Sequence, residues 1–505
     1  MIRSIRGLGS KGLIIDQNPY DIPVDAISDG NNIRIANGKL EKITGARTFH
    51  TGSYYHLAPW FPNTTFGYVL ISASNWDRFT AAQTSVSVTP STSYSNGNWS
   101  SSQVGEFLIV NNATEAPFVM HPTDSQFASL TNWPANTTCS RLKYYNGYLV
   151  AIGLVENSVE QPYVVRWSDA VQPSTLNPSW DFTSTTNLAG RNELSGADGP
   201  VLELEQLNDQ MIIYMRDAVY SMQYIGGNFV FSFRKVFDDD GIITPGAVAS
   251  FKGGHLVVGN DDIYLHDGNS KRSISDGRVT DYFYNSLQQV GSVKVQRYID
   301  RDEIWIAYST TDQLEADKVL IYNYQYDAWT QADLPQPITQ LAVATRFDTA
   351  TQIWQTTSGT WADQSDKWAT INPVDTDLSP YFLASDKIWQ GDFSYRHNTT
   401  DYVSFIEQEK LDLDQLFGET QSLKKVKRVL PQIAGTGSLE LQAGATNTPN
   451  GAVAYPRTQT FNIETDHKAD LRAQGRYLAI KMQMQNQGHY SISGWDLDLE
   501  RGHGR

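Results

Sequence analysis

A recurrence of short apolar and aromatic units limits what this chain can fold into more than any single motif does. The segments IIYMRDAVY (212–220), LVVGNDDIY (256–264), YIDRDEIW (298–305) and YFLASDKIW (381–389) share one pattern. Each passes from apolar residues through a polar turn, carrying Asp217, Asp261, Asp302 or Asp386, to Ile or Val and then an aromatic residue. A stretched copy, QLAVATRFDTATQIW (340–354), lies between the last two. The closing aromatics Tyr220, Tyr264, Trp305, Trp354 and Trp389 are 44, 41, 49 and 35 residues apart, about one four-stranded propeller blade per interval.

Weaker copies at 68–79, 106–120 and 148–165 extend the array towards the amino terminus. The expectation is a mainly β chain with a β-propeller of six to eight blades over residues 60–394. The count stays open because a closing blade is often built from both ends of an array. In such a fold alternate side chains pack between neighbouring hairpins. The closing Tyr and Trp are then packing residues rather than sugar platforms, and the turn aspartates cap nearby backbone N–H groups. Composition agrees, since 13 Trp, 26 Tyr and 20 Phe beside 37 Gly favour strands and turns.

One segment departs from this pattern. In residues 276–292, Val279, Tyr282, Phe283, Leu287 and Val290 fall at helical spacing and predict a short amphipathic helix. Beyond residue 395 the blade motif stops, and long alternating stretches predict an antiparallel, sandwich-like platform over 395–505. LDLDQLFGETQSL (411–423) reads as a linker or short helix before those strands.

Residues 1–59 form a polar leader followed by a hairpin. In DGNNIRIANGKLEKITGARTF (29–49) Asn37 and Gly38 suit a two-residue type I′ turn, in which both central residues take positive φ. Ile35 then faces Leu40 and Arg34 faces Glu41, giving one apolar face and an opposite-charge pair. Two strands alone are marginal in water, so this hairpin needs a support.

Little in the sequence points to catalysis or cofactors. With 505 residues and a formal charge of −16, the chain as a whole does not seek phosphate. Its basic cluster, Lys424, Lys425, Lys427 and Arg428, alternates with Val426 and Val429 and reads as a solvated face. GLGSKG (7–12) has no strand before it and no helix after it, so it is not read as a nucleotide loop. Asp238, Asp239 and Asp240 before Gly241 lack alternating calcium ligands and read as a turn. No two of the nine histidines stand three or four residues apart, which gives zinc little support. Cys139, the single cysteine, reads as a small buried hydrophobe. No catalytic, cofactor-binding or metal-binding residue is assigned, although carboxylates that meet only in space stay open as a glycosidase pair. The amino terminus lacks a signal-peptide core and no apolar run reaches about 18 residues, so the expectation is a soluble product made and kept in a cytoplasm.

The order of VDAISDGNNIRIANGKLEKITGAR, QMIIYMRDAVYSMQY, KVLIYNYQYDAWTQ and GRYLAIKMQMQNQGHYSISGWDLDLE resembles that of the packaged-DNA stabilisation and tail nozzle proteins of short-tailed bacteriophages. The resemblance implies a non-enzymatic virion structural protein, assembled in the host cytoplasm and placed in the viral tail. It implies a homo-oligomeric ring, usually a homohexamer, below the portal and its adaptor protein, in contact with tail fibre or spike and tail needle or tip proteins. Double-stranded DNA would pass through the lumen without sequence-specific binding and be retained until ejection. No stable membrane insertion is implied. The hairpin would lean on the carboxy-terminal module or on a neighbouring subunit. A propeller lectin and a polysaccharide-degrading enzyme acting on the host surface are the alternative readings.

Overall fold

A computed structural model describes residues 2–62, 67–80, 85–172, 174–194, 199–227, 229–346, 378–414 and 422–502. The chain forms two compact units: residues 53–192 with 342–381, and residues 1–52 with 193–341 and 382–505. These divisions do not fall at the boundaries expected at 60 and 395.

The first unit is a series of antiparallel four-stranded meanders. Tyr54–Trp60, Gly67–Ser72, Trp76–Thr80 and Ser85–Ser87 form one, and Ser100–Val104, Phe107–Asn111, Phe118–Met120 and Ala128–Ser129 the next. A third runs through Arg141–Tyr145, Tyr148–Ile152, Val164–Trp167 and Gly190–Glu193. Its first turn repeats the Asn-Gly solution, with Asn146 at φ 47° and Gly147 at φ 92°. Trp76 centres one core, edge-on to Phe127 at 4.9 Å and Phe118 at 5.2 Å. Cys139 is fully buried among Leu142, Leu149 and Trp180, and burial raises its thiol pKa.

The second unit continues with the same motif. Val201–Leu207, Gln210–Met215, Ala218–Tyr224 and Phe231–Asp238 make one meander; Val248–Phe251, Gly254–Val258, Ile263–His266 and Lys271–Ser273 make another. In the next sheet Gln289–Tyr298, Glu303–Ser309 and Ala316–Asn323 are successive strands, and Lys387–Gln390 is its last strand but one. Its last partner is Arg47–Thr51, from the amino-terminal end of the chain. The fold is therefore mainly β and propeller-like, and its last sheet is closed from both ends of the array.

Two further sheets make the sandwich-like module. One orders Ile33–Ala36, Lys39–Lys42, His489–Arg501, Lys424–Thr436 and Ala473–Gly475, with Ile2–Arg6 also paired to His489–Arg501. The other orders Asp29–Asn31, Ser404–Leu411, Tyr477–Met484, Ser438–Thr446 and Thr458–Asn462. Alternating Leu478, Ile480, Met482 and Met484 join Ile492, Trp495, Leu497 and Leu499 in one core. The same core takes in blade residues such as Tyr214, Val257 and Trp329.

The helix is shorter than its apolar spacing predicts, running over Thr280–Ser286 only. Leu287 is already extended, and Gln289–Tyr298 is a strand that leaves Val290 exposed. Val290, Val293 and Val295 are β-branched and Gly291 disfavours helix, so strand pairing prevails there. The linker expected at 411–423 lies partly outside the described residues, and so does Trp354.

Candidate functional site

The described feature that most resembles a built device is the amino-terminal hairpin and its anchors. Asn37 and Gly38 take φ of 51° and 71°, as a type I′ turn requires, and the register pairs Ile35 with Leu40 and Arg34 with Glu41. Ile33, Ile35 and Leu40 are buried, and Leu40 and Glu41 pair with Ile492 and Ser491 of the long carboxy-terminal strand. The support this hairpin needs is thus the sandwich sheet.

The cross-strand charge pair is replaced by a stronger arrangement. Arg34 is buried, and its guanidinium grips Glu303 with two parallel hydrogen bonds, Nε to Oε1 at 3.2 Å and Nη2 to Oε2 at 3.0 Å. Its Nη1 donates to Asp392 Oδ1 at 2.8 Å. The Tyr298 hydroxyl donates to Asp392 Oδ2 at 2.6 Å, Arg301 Nε lies 3.3 Å from the same oxygen, and the Thr44 hydroxyl donates to Oδ1. Trp305 Nε1 donates to Glu303 Oε2 at 2.8 Å. Burial alone would raise the Asp392 pKa, but Arg34, Arg301 and the Thr44 and Tyr298 hydroxyls outweigh it and hold the carboxyl far below the usual carboxylate range. Burial likewise opposes the Arg34 charge, while Asp392 and Glu303 keep it protonated. A bidentate arginine between two buried carboxylates fixes direction as well as charge.

The other strand anchors to the sandwich. Lys42 is buried, and its ammonium donates to the carbonyls of Asn486 at 2.5 Å and Gly488 at 3.3 Å, with the Tyr402 ring 4.6 Å away. Burial lowers its pKa to about 8, against the opposing pull of Asp401. Asn323 Nδ2 adds a hydrogen bond to Ile35 O at 3.3 Å. Arg34 ties the hairpin to the blade sheet and Lys42 ties it to the sandwich.

The leader is ordered against the same unit. Leu13 N–H donates to Trp329 O at 2.8 Å, and Ile15 and Asp16 N–H both reach Arg278 O. The Asp16 carboxylate accepts from the Asp281 and Tyr282 N–H groups at 2.9 and 2.8 Å, capping the helix from 265 and 266 residues away. GLGSKG is a turn, with Gly7, Gly9 and Gly12 all at positive φ.

Other sequence expectations meet mixed outcomes. Tyr220, Tyr264, Trp305 and Trp389 are all buried. Three of the turn aspartates meet side chains where backbone N–H groups were expected. Asp217 accepts from Asn260 Nδ2 at 3.2 Å, Asp386 accepts from Gln336 Nε2 at 2.8 Å, and Asp302 lies 3.4 Å from Lys252 Nζ. Asp238 pairs with Lys235 at 2.8 Å and Asp240 pairs with Lys271, while Asp239 takes φ of 60°. Within the basic cluster Lys424 is not solvated; it is fully buried, with Nζ 2.6 Å from Asp414 and 2.8 Å from Arg476 O.

One buried network left no trace in the sequence patterns. The Tyr214 hydroxyl lies 2.6 Å from both His255 Nδ1 and His266 Nε2. His255 Nε2 donates to Gln206 O at 3.0 Å, so its Nδ1 accepts the Tyr214 proton. Gly268 N–H donates to His266 Nδ1 at 3.2 Å, so His266 Nε2–H donates to Tyr214. Every side-chain polar atom of this Tyr–His–His network is satisfied with both rings neutral, and burial together with His255 lowers the His266 pKa to about 3.

Together these features define a mainly β, propeller-like protein with a sandwich module clasped by an amino-terminal hairpin. No family model and no curated protein matches the chain. Among solved structures it is similar to a chain in the crystal structure of the mitotic checkpoint complex, at 11% identity and a TM-score of 0.40, covering 68% of this chain and 93% of that one.

Proposed function

We propose that the chain is a non-enzymatic structural subunit of a short-tailed bacteriophage tail, a nozzle protein whose ring extends the DNA channel below portal and adaptor and retains packaged DNA until ejection. The observation that carries this reading is that all four segments behind the resemblance lie in one compact unit, three of them joined through the hairpin and the fourth sharing their core. The hairpin strand Lys39–Lys42 pairs with His489–Arg501, Asn323 bonds Ile35, and Tyr214 shares the core of the sandwich strands. A leader ordered by Asp16 and a hairpin locked by Arg34 would give such a ring a rigid platform, with the tail proteins as its partners. The buried carboxylates Glu203, Glu303, Asp392 and Glu407 are each engaged by backbone N–H, arginine, lysine or tyrosine groups, which suits a scaffold better than an acid–base pair.

DNA-filled particles that carry portal and adaptor but no nozzle provide the test. Added full-length chain is expected to protect their DNA from nuclease. Unprotected DNA, together with release of reducing sugar from host surface glycan by the pure chain, would favour the enzyme reading instead.

A further inference from the structure

Where the chain leaves the hairpin, residues 43–48 lie along residues 393–402 of the same unit. Gly45 N–H donates to Ser394 O, Phe393 N–H donates to Gly45 O at 3.2 Å, and Asn398 N–H donates to Ala46 O at 2.8 Å. The Tyr402 hydroxyl donates to Ile43 O, and Thr48 N–H donates to Asn398 Oδ1 at 2.8 Å. One bond of this seam goes to a group that titrates: Ala46 N–H donates to His397 Nδ1 at 3.2 Å. It requires a lone pair on Nδ1, so the neutral ring carries its proton on Nε2. A second proton would go to Nδ1 and set two N–H groups against each other. Ala46 is buried, so its N–H would lose its acceptor with no water in place.

We propose that His397 is the catch of a pH-sensitive latch, in which protonation at Nδ1 releases residues 43–48 from residues 393–402. The surroundings oppose a charged ring. His397 packs on Tyr402 with centroids 4.6 Å apart, and the Lys42 ammonium lies 4.6 Å from the same tyrosine ring. Burial and Lys42 disfavour the charged imidazole, while Asp333 favours it. Asp333, opposite Lys318 in the blade sheet, is already engaged by Asn31 Nδ2 at 2.6 Å. On the segment of His397 itself, Arg396 and Asp401 pair with each other at 2.5 Å, and Tyr395 stacks on His489 of the sandwich at 5.1 Å. The balance holds His397 at about 4, against an ordinary 6.5. A released, solvated ring regains the ordinary value. The open form therefore binds more protons between those two values, and opening is favoured as pH falls from about 6.5 towards 4. At tenfold per pKa unit the whole span shifts the latch about 300-fold. Asp392 stays ionised across this range, so the grip of Arg34 persists while the exit of the hairpin opens. The inference goes beyond the nozzle reading and does not depend on it.

The test is hydrogen exchange of the full chain read by mass spectrometry at about pH 7 and about pH 5, with labelling times corrected for the pH dependence of intrinsic exchange. Protection of residues 43–48 is expected to fall about tenfold or more at the lower pH, while Tyr477–Met484 and His489–Arg501 stay protected over the same labelling times. Two variants are expected to abolish that pH difference. His397→Asn keeps an acceptor near the Nδ1 position without titrating, and His397→Phe keeps the ring against Tyr402 with no acceptor at all. If near-ultraviolet circular dichroism shows that the phenylalanine variant does not fold, the asparagine variant decides alone. Equal protection of residues 43–48 at both pH values in the unaltered chain, a loss spread evenly over all strands, or the same pH-dependent loss in His397→Asn would overturn the proposal.

Discussion

Arg34 concentrates more of the structure's logic than any other side chain. It binds Glu303 and Asp392, 269 and 358 residues away, from within a two-stranded hairpin. Arg34→Met leaves Glu303 buried without its counter-charge and Asp392 with Arg301 alone, and is expected to cost about 3–5 kcal/mol of stability. Glu41→Gln, which alters only its cross-strand neighbour, is expected to shift stability by less than about 0.5 kcal/mol. Denaturant midpoints of the two variants check this, and equal losses would show that the cross-strand pair matters after all. The hairpin register was legible because Asn-Gly turns and alternation are local; the partners of Arg34 were not, because nothing local marks residues that distant. The same holds for Tyr214, His255 and His266, whose segments read only as buried strands. His266 sits below its ordinary pKa of 6.5, at about 3, and His397 at about 4, each mainly through burial. The unfolded chain therefore binds more protons between those values, and stability falls as pH drops from about 6.5 towards 3. His266→Gln is expected to flatten part of that slope in urea titrations run from neutral to acid pH, and an unchanged slope would count against the neutral network.

Among the elements, the leader shows how far propensity carries and where it stops. Helical spacing over 276–292 located a helix, yet its start depends on Asp16 and its end on a strand that claims Gln289 onward. A polar leader gives no sequence sign that it packs against a blade. Gly12 makes that packing possible: a Cβ there would lie 2.5 Å from Trp329 O and 2.6 Å from Trp329 N, at a φ of 67° that disfavours side chains. Gly12→Ala is expected to release the leader, seen as rapid proteolytic cleavage between residues 10 and 25, while the blades stay resistant. A leader that stays protected would mean that the Trp329 contact is dispensable. The blade repeat was the most legible element, since aromatic closers recur at blade spacing and the four among the described residues are buried. The closing strand Arg47–Thr51 was legible only as a possibility, because it carries no copy of the motif.

For the whole molecule, the account turns on assembly. Under the nozzle proposal, six chains of net charge −16 would carry a formal −96, so the ring would repel duplex DNA from its wall and let it slide, with retention left to loops that block the bore. Duplex binding by the assembled ring is therefore expected to be weak at about 0.1 M salt, where the Debye length is about 10 Å; tight, salt-sensitive binding in a filter or anisotropy assay would reverse that picture. The proposed ring has no heptads or long amphipathic helices behind it in the sequence, so it rests on the resemblance alone. Electron-microscopic class averages of the purified full chain, alone and added to adaptor-bearing particles, test the central claim most directly. The account predicts a six-fold ring seated below the adaptor; an isolated monomer that never joins a tail would contradict it.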